Sequence, residues 1–348
     1  MNYDSYIKQP RGGCKMKRHL LPQGQNFYKA NLHCHSTVSD GKLTPEEIKK
    51  AYMEKGYSIV AFTDHEIMVP HPELVSEDFL PLNGYEYAIM EDETEDKNCF
   101  KLRKCCHLCL IALEPDNRSH VCWHGVLLGN AKNYESYANV DPNAPLYKRV
   151  YSPECVTEVM QEARKAGFFV TYNHPAWSME DMVDVVNYHG MHALEIFNTG
   201  CYNHGWEDYQ PAMFDAMLRR GKEVYCIAAD DNHSLNSMFG GWTMICADKL
   251  EYRTITKALE KGHFYASTGP QINALWFEDG NIHIECSPAA EIQVNYGSRR
   301  AERYLATDAP LTQAVIPVEP NDFYVRITVT DANGGHANTN PYYTKDLF

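Results

Sequence analysis

The chain has 348 residues with 46 acidic against 32 basic side chains, a formal net charge of −14 that argues against a general nucleic-acid surface, where Lys and Arg must replace counterions along phosphates. Hydrophobic residues at 44% and charged residues at 22% are ordinary for a globular protein, and no apolar run approaches the ~18 residues of a membrane span. Twelve cysteines without a disulfide-framework spacing fit reduced thiols, and the first ten residues lack the apolar stretch of a signal peptide, so the expected location is the cytoplasm.

Residues 1–26 are polar and punctuated by Gly and Pro, which predicts an irregular leader. Phe27 to His35 reads as a strand, whose alternation puts His33 and His35 on one face and Leu32 and Cys34 on the other, and Asp40 follows in a polar loop. Thr44-Pro45-Glu46-Glu47 is a helix start: an N-cap, Pro at the first helical position, and Glu three residues after the cap. Gly56 ends that helix. Tyr57 to Phe62 is a buried strand that delivers Thr63-Asp64-His65, and Leu80 to Tyr85 is another that leads to Glu86. The acidic run from Glu91 to Lys97 reads as a solvated loop, Leu108 to Leu113 as a strand preceded by His107, and Val121 to Gly129 as a further strand; Asn130 to Leu146 shows no pattern.

From Ser152 helices and strands alternate. A helix from Ser152 to Gly167 precedes the strand Phe168 to Thr171 and Asn173-His174-Pro175, and a second helix, capped by Ser178 and running to about Tyr188, precedes the strand His192 to Phe197 and Asn198. A helix over 208–220 leads to the strand Glu223 to Ala229 and Asp230-Asp231-Asn232-His233; the strand Trp242 to Cys246 and a helix over 252–261 follow. This rhythm predicts an α/β fold with a largely parallel sheet. After about Gly269 the period changes to two: Ile272 to Phe277, the Asp279-Gly280 turn, Ile282 to Cys286 and Tyr324 to Thr330 predict a small antiparallel β domain over 270–348, behind a domain over 27–269.

His65, Glu86, His174 and Asp231/His233 each follow an apolar strand-like run, the position at which parallel α/β folds gather an active site. A lone His-x-His is weak, but imidazole and carboxylate donors repeated at strand ends suit divalent zinc, manganese or iron. His33-Cys34-His35, Ser39-Asp40-Gly41, Thr63-Asp64-His65, Gly84-Tyr85-Glu86, His107, Asn173-His174-Pro175 and Asp231-Asn232-His233, taken in order, resemble the successive metal motifs of the PHP (polymerase and histidinol phosphatase) superfamily. Gly241-Trp242, the stretch from Phe264 to Pro270 and Ala337-Asn338-Thr339-Asn340-Pro341 are similar to its CehA/McbA-like branch, named for carbaryl hydrolase.

The resemblance implies a distorted (β/α)7 barrel with a C-terminal β domain and two or three divalent ions. One ion would take His33, His35, Glu86 and Asp231, a second would share Glu86 and add His107 and His174, and a third would use Asp40, His65 and His233. It also implies hydrolysis of a small phosphorylated molecule by a metal-bridging hydroxide, with His204 or His233 helping the leaving group. A carbamate, ester or amide hydrolase using the same ions is the second reading, and a non-catalytic metal-binding module the third.

Several residues carry competing readings. Asp64 is expected to orient His65, Asp230 to do the same for its neighbour or to be solvated, and Asn198 to touch substrate or close a turn. Lys148-Arg149 is a candidate phosphate clamp or a solvated pair. Cys99, Cys105, Cys106, Cys109 and Cys122 suggest a zinc knuckle through Cys106-x-x-Cys109, but on a strand those two point to opposite faces. His71, His189, His192, His263, His283 and His336 are assigned no function. The oligomeric state is open.

Overall fold

The computed structural model describes residues 17–91 and 103–348, so most of the expected leader and of the acidic loop, together with Cys99, lies outside the described residues. The short strand β1 (Arg18–His19) leads to β2 (Asn26–Asn31), helix α1 (Pro45–Met53) and β3 (Ile59–Phe62). The capping box is present: Thr44 Oγ1 accepts from Glu47 N at 3.3 Å and Glu47 Oε2 accepts from Thr44 N at 2.9 Å. β4 (Leu80–Met90) runs five residues beyond the predicted Tyr85, so Glu86 lies inside the strand. It pairs antiparallel with β5 (Cys105–Ala112), which pairs antiparallel with β6 (Phe168–Tyr172) after helix α2 (Pro153–Lys165). An apolar run has no intrinsic direction, and this pair of reversals makes the sheet mixed rather than largely parallel.

No strand forms over 121–129. That segment and the 3₁₀ turns of Gly129–Tyr137 cross the mouth of the sheet, where Asn130 N donates to Ser39 O at 2.8 Å. The helix expected from Ser178 to Tyr188 shrinks to α3 (Met182–Val185), capped by Asp181 instead. β7 (Ala193–Asn198), α4 (Thr199–Asn203), α5 (Pro211–Arg219) and β8 (Tyr225–Ala229) follow, then β9 (Trp242–Ala247), α6 (Tyr252–Glu260) and β10 (Phe264–Ser267). Ala30, Ile59, Leu82, Ile111, Phe169, Ala193, Ile227 and Ile245, one from each strand from β2 to β9, share one core with Ile255 and Leu259 of α6. The sheet therefore curls around this core. Its pairing path stays open, ending at β8, and the Thr243 hydroxyl of β9 reaches across, donating to Ala228 O at 3.1 Å.

The remaining strands are β11 (Ile272–Glu278), β12 (Asn281–Ala289), β13 (Glu291–Tyr296), β14 (Ala301–Leu305), β15 (Leu311–Pro317), β16 (Tyr324–Thr330), β17 (His336–Thr339) and β18 (Tyr342–Tyr343), before the terminal turn α7 (Thr344–Leu347). Their pairings are antiparallel, and the β11–β12 hairpin turns on Asp279 and Gly280, both at positive φ (51° and 78°) as the Asp-Gly signal requires. β17 pairs with both β10 and β16, so the C-terminal strands prolong the large sheet, while β1, β11, β12 and β15 form a second one. The leader is thus not wholly irregular: Arg18 and His19 pair with β11, and Leu20 and Leu21 are buried in the core between these sheets. A buried ion pair ties the halves together, with Arg326 of β16 donating from Nη2 to Asp215 Oδ2 of α5 at 2.7 Å. Among the described residues no helix is long and apolar enough to cross a membrane.

Candidate metal centre

Strand β2 stops at Asn31, yet the chain beyond it stays anchored to the segment after β8. Asp231 N donates to His33 O at 2.9 Å and His35 N to Asn232 O at 3.2 Å, which fixes the two histidines beside Asp231. Asp231 and His174 both sit at positive φ (50° and 28°), an arrangement that side-chain-bearing residues rarely adopt and that marks a conformation held by its surroundings. The loop carrying Asp40 turns on Gly41, where a Cβ would stand 2.4 Å from His35 O, so only glycine fits.

Glu86 is the hub. Its Oε1 lies 3.2 Å from His33 Nε2, 2.9 Å from His107 Nδ1 and 3.2 Å from His174 Nε2; its Oε2 lies 3.3 Å from His35 Nε2 and 3.0 Å from His65 Nδ1. Asp231 Oδ1 faces His33 Nε2 at 3.3 Å, His35 Nε2 at 3.1 Å and His233 Nδ1 at 3.6 Å. Asp40 faces His65 and His233 through Oδ2 at 3.6 and 3.4 Å, and His35 Nδ1 through Oδ1 at 3.7 Å. All nine residues singled out in the sequence as donors thus meet in one place. Three sets have ligating atoms mutually close: His33, His35 and Asp231; His33, Glu86 and His174; and His35, Asp40, His65 and His233. The last joins His35 to the expected third set, and the second contains His33 where His107 was expected.

Hydrogen bonding alone does not account for this cluster. His33 and His35 bring two Nε2 atoms to 3.1 Å, and the buried Asp231 Oδ1, His35 Nδ1 and His65 Nδ1 have no hydrogen-bond partner. Ligands ~2.1 Å from one cation stand ~3.0–3.4 Å apart, the spacing found around Asp231 and Glu86. The donors fit divalent ions. Electrostatics points the same way: burial opposes ionisation of Glu86 and Asp231, but the surrounding imidazoles, His107 and His33 foremost for Glu86 and His33 for Asp231, hold both well below the usual carboxylate range. His174 and His233 are correspondingly raised to about 9 against the effect of burial, chiefly by hydrogen bonds to Glu86 and Asp40 respectively. The site favours positive charge.

Around the donors stand residues that the sequence did not reveal. Glu195, inside β7, accepts from His33 Nδ1 at 3.0 Å, from His174 N at 3.0 Å and from Asn198 Nδ2 at 2.9 Å. It keeps the hydrogen on His33 Nδ1 and turns Nε2 toward the cluster. A carboxylate in the middle of Ala-Leu-Glu-Ile-Phe, costly to bury without partners, was the available signal. Asn198 also reaches Asp231 Oδ2 at 3.2 Å and caps α4, so its polar atoms are used in building the site. Asp64 does not orient His65. It accepts from the backbone and hydroxyls of Ser36 and Ser39 at 2.7–3.1 Å and so shapes the loop that presents Asp40. Asp230 is fully buried, held by Thr199 and Tyr52 hydroxyls and by the amides of Phe239, Gly240 and Gly241. Arg149 is bound to Glu66 Oε1 at 2.6 Å, while His124 Nε2 lies 2.9 Å from Glu66 Oε2, so Arg149 braces the crossing segment rather than reaching the donors. Cys106 packs in the core and Cys109 Sγ accepts from Asn173 Nδ2 at 2.9 Å; among the described residues no candidate metal group contains a cysteine.

A cavity of about 360 Å³ opens over the cluster, and His204 stands on its wall with Nδ1 2.6 Å from Gly200 O. A carbonyl only accepts, so Nδ1 carries the hydrogen and Nε2 is the atom left for chemistry.

Residues 31–141 match the family model of the PHP domain. Among solved structures, the chain is similar to a two-domain Bacteroides vulgatus ATCC 8482 protein containing a predicted PHP-like metal-dependent phosphoesterase (15% identity, TM-score 0.44, covering 94% of this chain and all of that one). It is also similar to a candidate metal-dependent phosphoesterase from Bifidobacterium adolescentis ATCC 15703 (15%, 0.33, 62% and 90%). A third is an amidohydrolase from Chromobacterium violaceum with bound sulfate and no metal (14%, 0.37, 68% and 96%). No curated protein matches the chain.

Proposed function

We propose, from the premise that residues 31–141 match the PHP domain, that this protein is a metal-dependent hydrolase acting on a small phosphorylated ester. The observation that carries the reading is the convergence of His33, His35, His65, His107 and His174 on the single carboxylate of Glu86, with Asp231 completing the set. His33, His35, Glu86 and Asp231 would hold one ion; His107 and His174, sharing Glu86, a second; Asp40, His65 and His233 a third. Bound zinc, manganese or iron would supply a nucleophile from water at neutral pH and polarise the electrophile.

The chain's own residues do the rest. Glu195 and Ser178 fix the rings of His33 and His174, the latter through Ser178 Oγ at 3.2 Å from His174 Nδ1. Burial of the cluster excludes bulk water on the protein side. His204 Nε2, on the open side, is placed to pass a proton to a departing oxygen.

A second reading keeps the ions and changes the electrophile to a carbamate, ester or amide. It is favoured by a specific observation: among the described residues lining the cavity there is no Lys or Arg to grip a phosphate. A panel of phosphomonoesters, phosphodiesters, aryl carbamates and carboxylic esters, each assayed before and after chelation, tests both. The expected result is activity on at least one class that is lost on chelation and restored by manganese or zinc; activity that survives complete metal removal would end either reading.

A further inference from the structure

Beside the donors the cavity is lined by apolar side chains. Trp177, Met90 and Leu128 come from three separate segments, the turn after His174, the end of β4 and the crossing segment, yet all border this one cavity. They remain 41%, 47% and 39% exposed, which singly would be ordinary but is notable for three large apolar side chains lining one cavity. Trp177 is fixed rather than loose in position: its ring packs against His174 (centroids 5.1 Å, 84°) and His107 (5.2 Å, 51°). The turn that returns it over His174 is closed by Ser178 N donating to His174 O at 3.0 Å.

Charge narrows the ligand further. Apart from His204, the charged groups lining the cavity are the donors themselves, and the carboxylates Asp40, Glu86 and Asp231 consume much of the positive charge that ions would bring. Beyond the donors and His204, no Lys or Arg stands among the described residues of the wall to meet a second anionic group on a substrate.

We propose that the substrate joins its hydrolysable bond to a flat, uncharged ring that packs on Trp177 between Met90 and Leu128. This rests on the metal-hydrolase reading above but not on whether the electrophile is phosphorus or carbon. Trp177 is then a specificity-determining residue, and a ring that carries its own anionic group is expected to bind less well.

The test is calorimetric and needs no turnover. Two ligand pairs are titrated into the metal-loaded protein: phenylphosphonate against methylphosphonate, and benzohydroxamate against acetohydroxamate, with 4-carboxybenzohydroxamate as the doubly anionic probe. The phenyl member of each binding pair is expected to bind about tenfold more tightly, a ratio that falls toward one in Trp177→Ala and is largely kept in Trp177→Phe. The carboxylated ligand is expected to lose that advantage. A preference among hydroxamates with no phosphonate binding supports the proposal and counts against the phosphoester reading. Phosphonates that bind with no phenyl preference overturn the proposal and leave that reading standing. Equal affinities within both pairs, a ratio unchanged in a folded, metal-loaded Trp177→Ala, or undiminished affinity for the carboxylated ligand also overturn it. Should Trp177→Ala fold poorly, Met90→Ala carries the comparison, with a smaller loss of the ratio expected.

Discussion

Glu86→Gln is expected to cost at least about 10²–10³-fold in kcat/KM and to leave the purified protein with less than one equivalent of metal. The amide keeps the shape of the side chain but loses the charge, and it presents hydrogens toward rings that now face lone pairs. Five imidazoles within 3.3 Å depend on that carboxylate, so no neighbouring group can replace it. A role confined to packing would give the opposite pattern: full metal content, near-normal turnover and, with a buried charge removed, an unchanged or raised melting temperature. Elemental analysis and steady-state kinetics on the same preparation separate the two.

The largest stability effect is expected far from the donors. Asp215→Ala strips the partner from Arg326, which is only 2% exposed and whose guanidinium is otherwise bonded to the Thr328 hydroxyl at 2.9 Å. Leaving a buried guanidinium uncompensated costs about 3–5 kcal/mol, to be read from the shift of a urea unfolding curve. Asn295 Nδ2, which donates to Asp215 Oδ2 at 2.6 Å, loses its acceptor as well. Metal content per folded chain should not change, because α5 and β16 contribute no donor. An exposed pair such as Lys345 and Glu223, both more than 60% exposed, is the control, and breaking it is expected to leave the unfolding curve essentially in place.

Chemistry was more legible in this sequence than geometry. The capping box of α1 and the Asp-Gly hairpin were readable because each is a local pattern with one physical meaning, and the convergence of the nine His, Asp and Glu side chains was readable from their repetition after apolar runs. The direction of β5 was not, since Cys-Cys-His-Leu-Cys-Leu-Ile-Ala buries equally well either way, and its reversal brings His107 beside Glu86 from the start of a strand rather than from its end. Val121 to Gly129 is apolar enough for a strand, but its side chains instead cover the mouth of the sheet, where Leu127 packs with Val38 and Ile67. Ser178 resembled a helix cap and turned out to face His174 Nδ1, a use that no local rule distinguishes from capping. Glu66 and Glu195 escaped notice because their partners, Arg149 and His33, lie 83 and 162 residues away.

Metal stoichiometry tests the central claim most directly. Elemental analysis of the protein purified without added chelator, followed by anomalous scattering from its crystals, should find at least two divalent ions per chain, one among His33, His35, Glu86 and Asp231 and another at His65, Asp40 and His233 or at His107 and His174. Trace metal only, with no gain in melting temperature when manganese, zinc or iron is supplied, would contradict it.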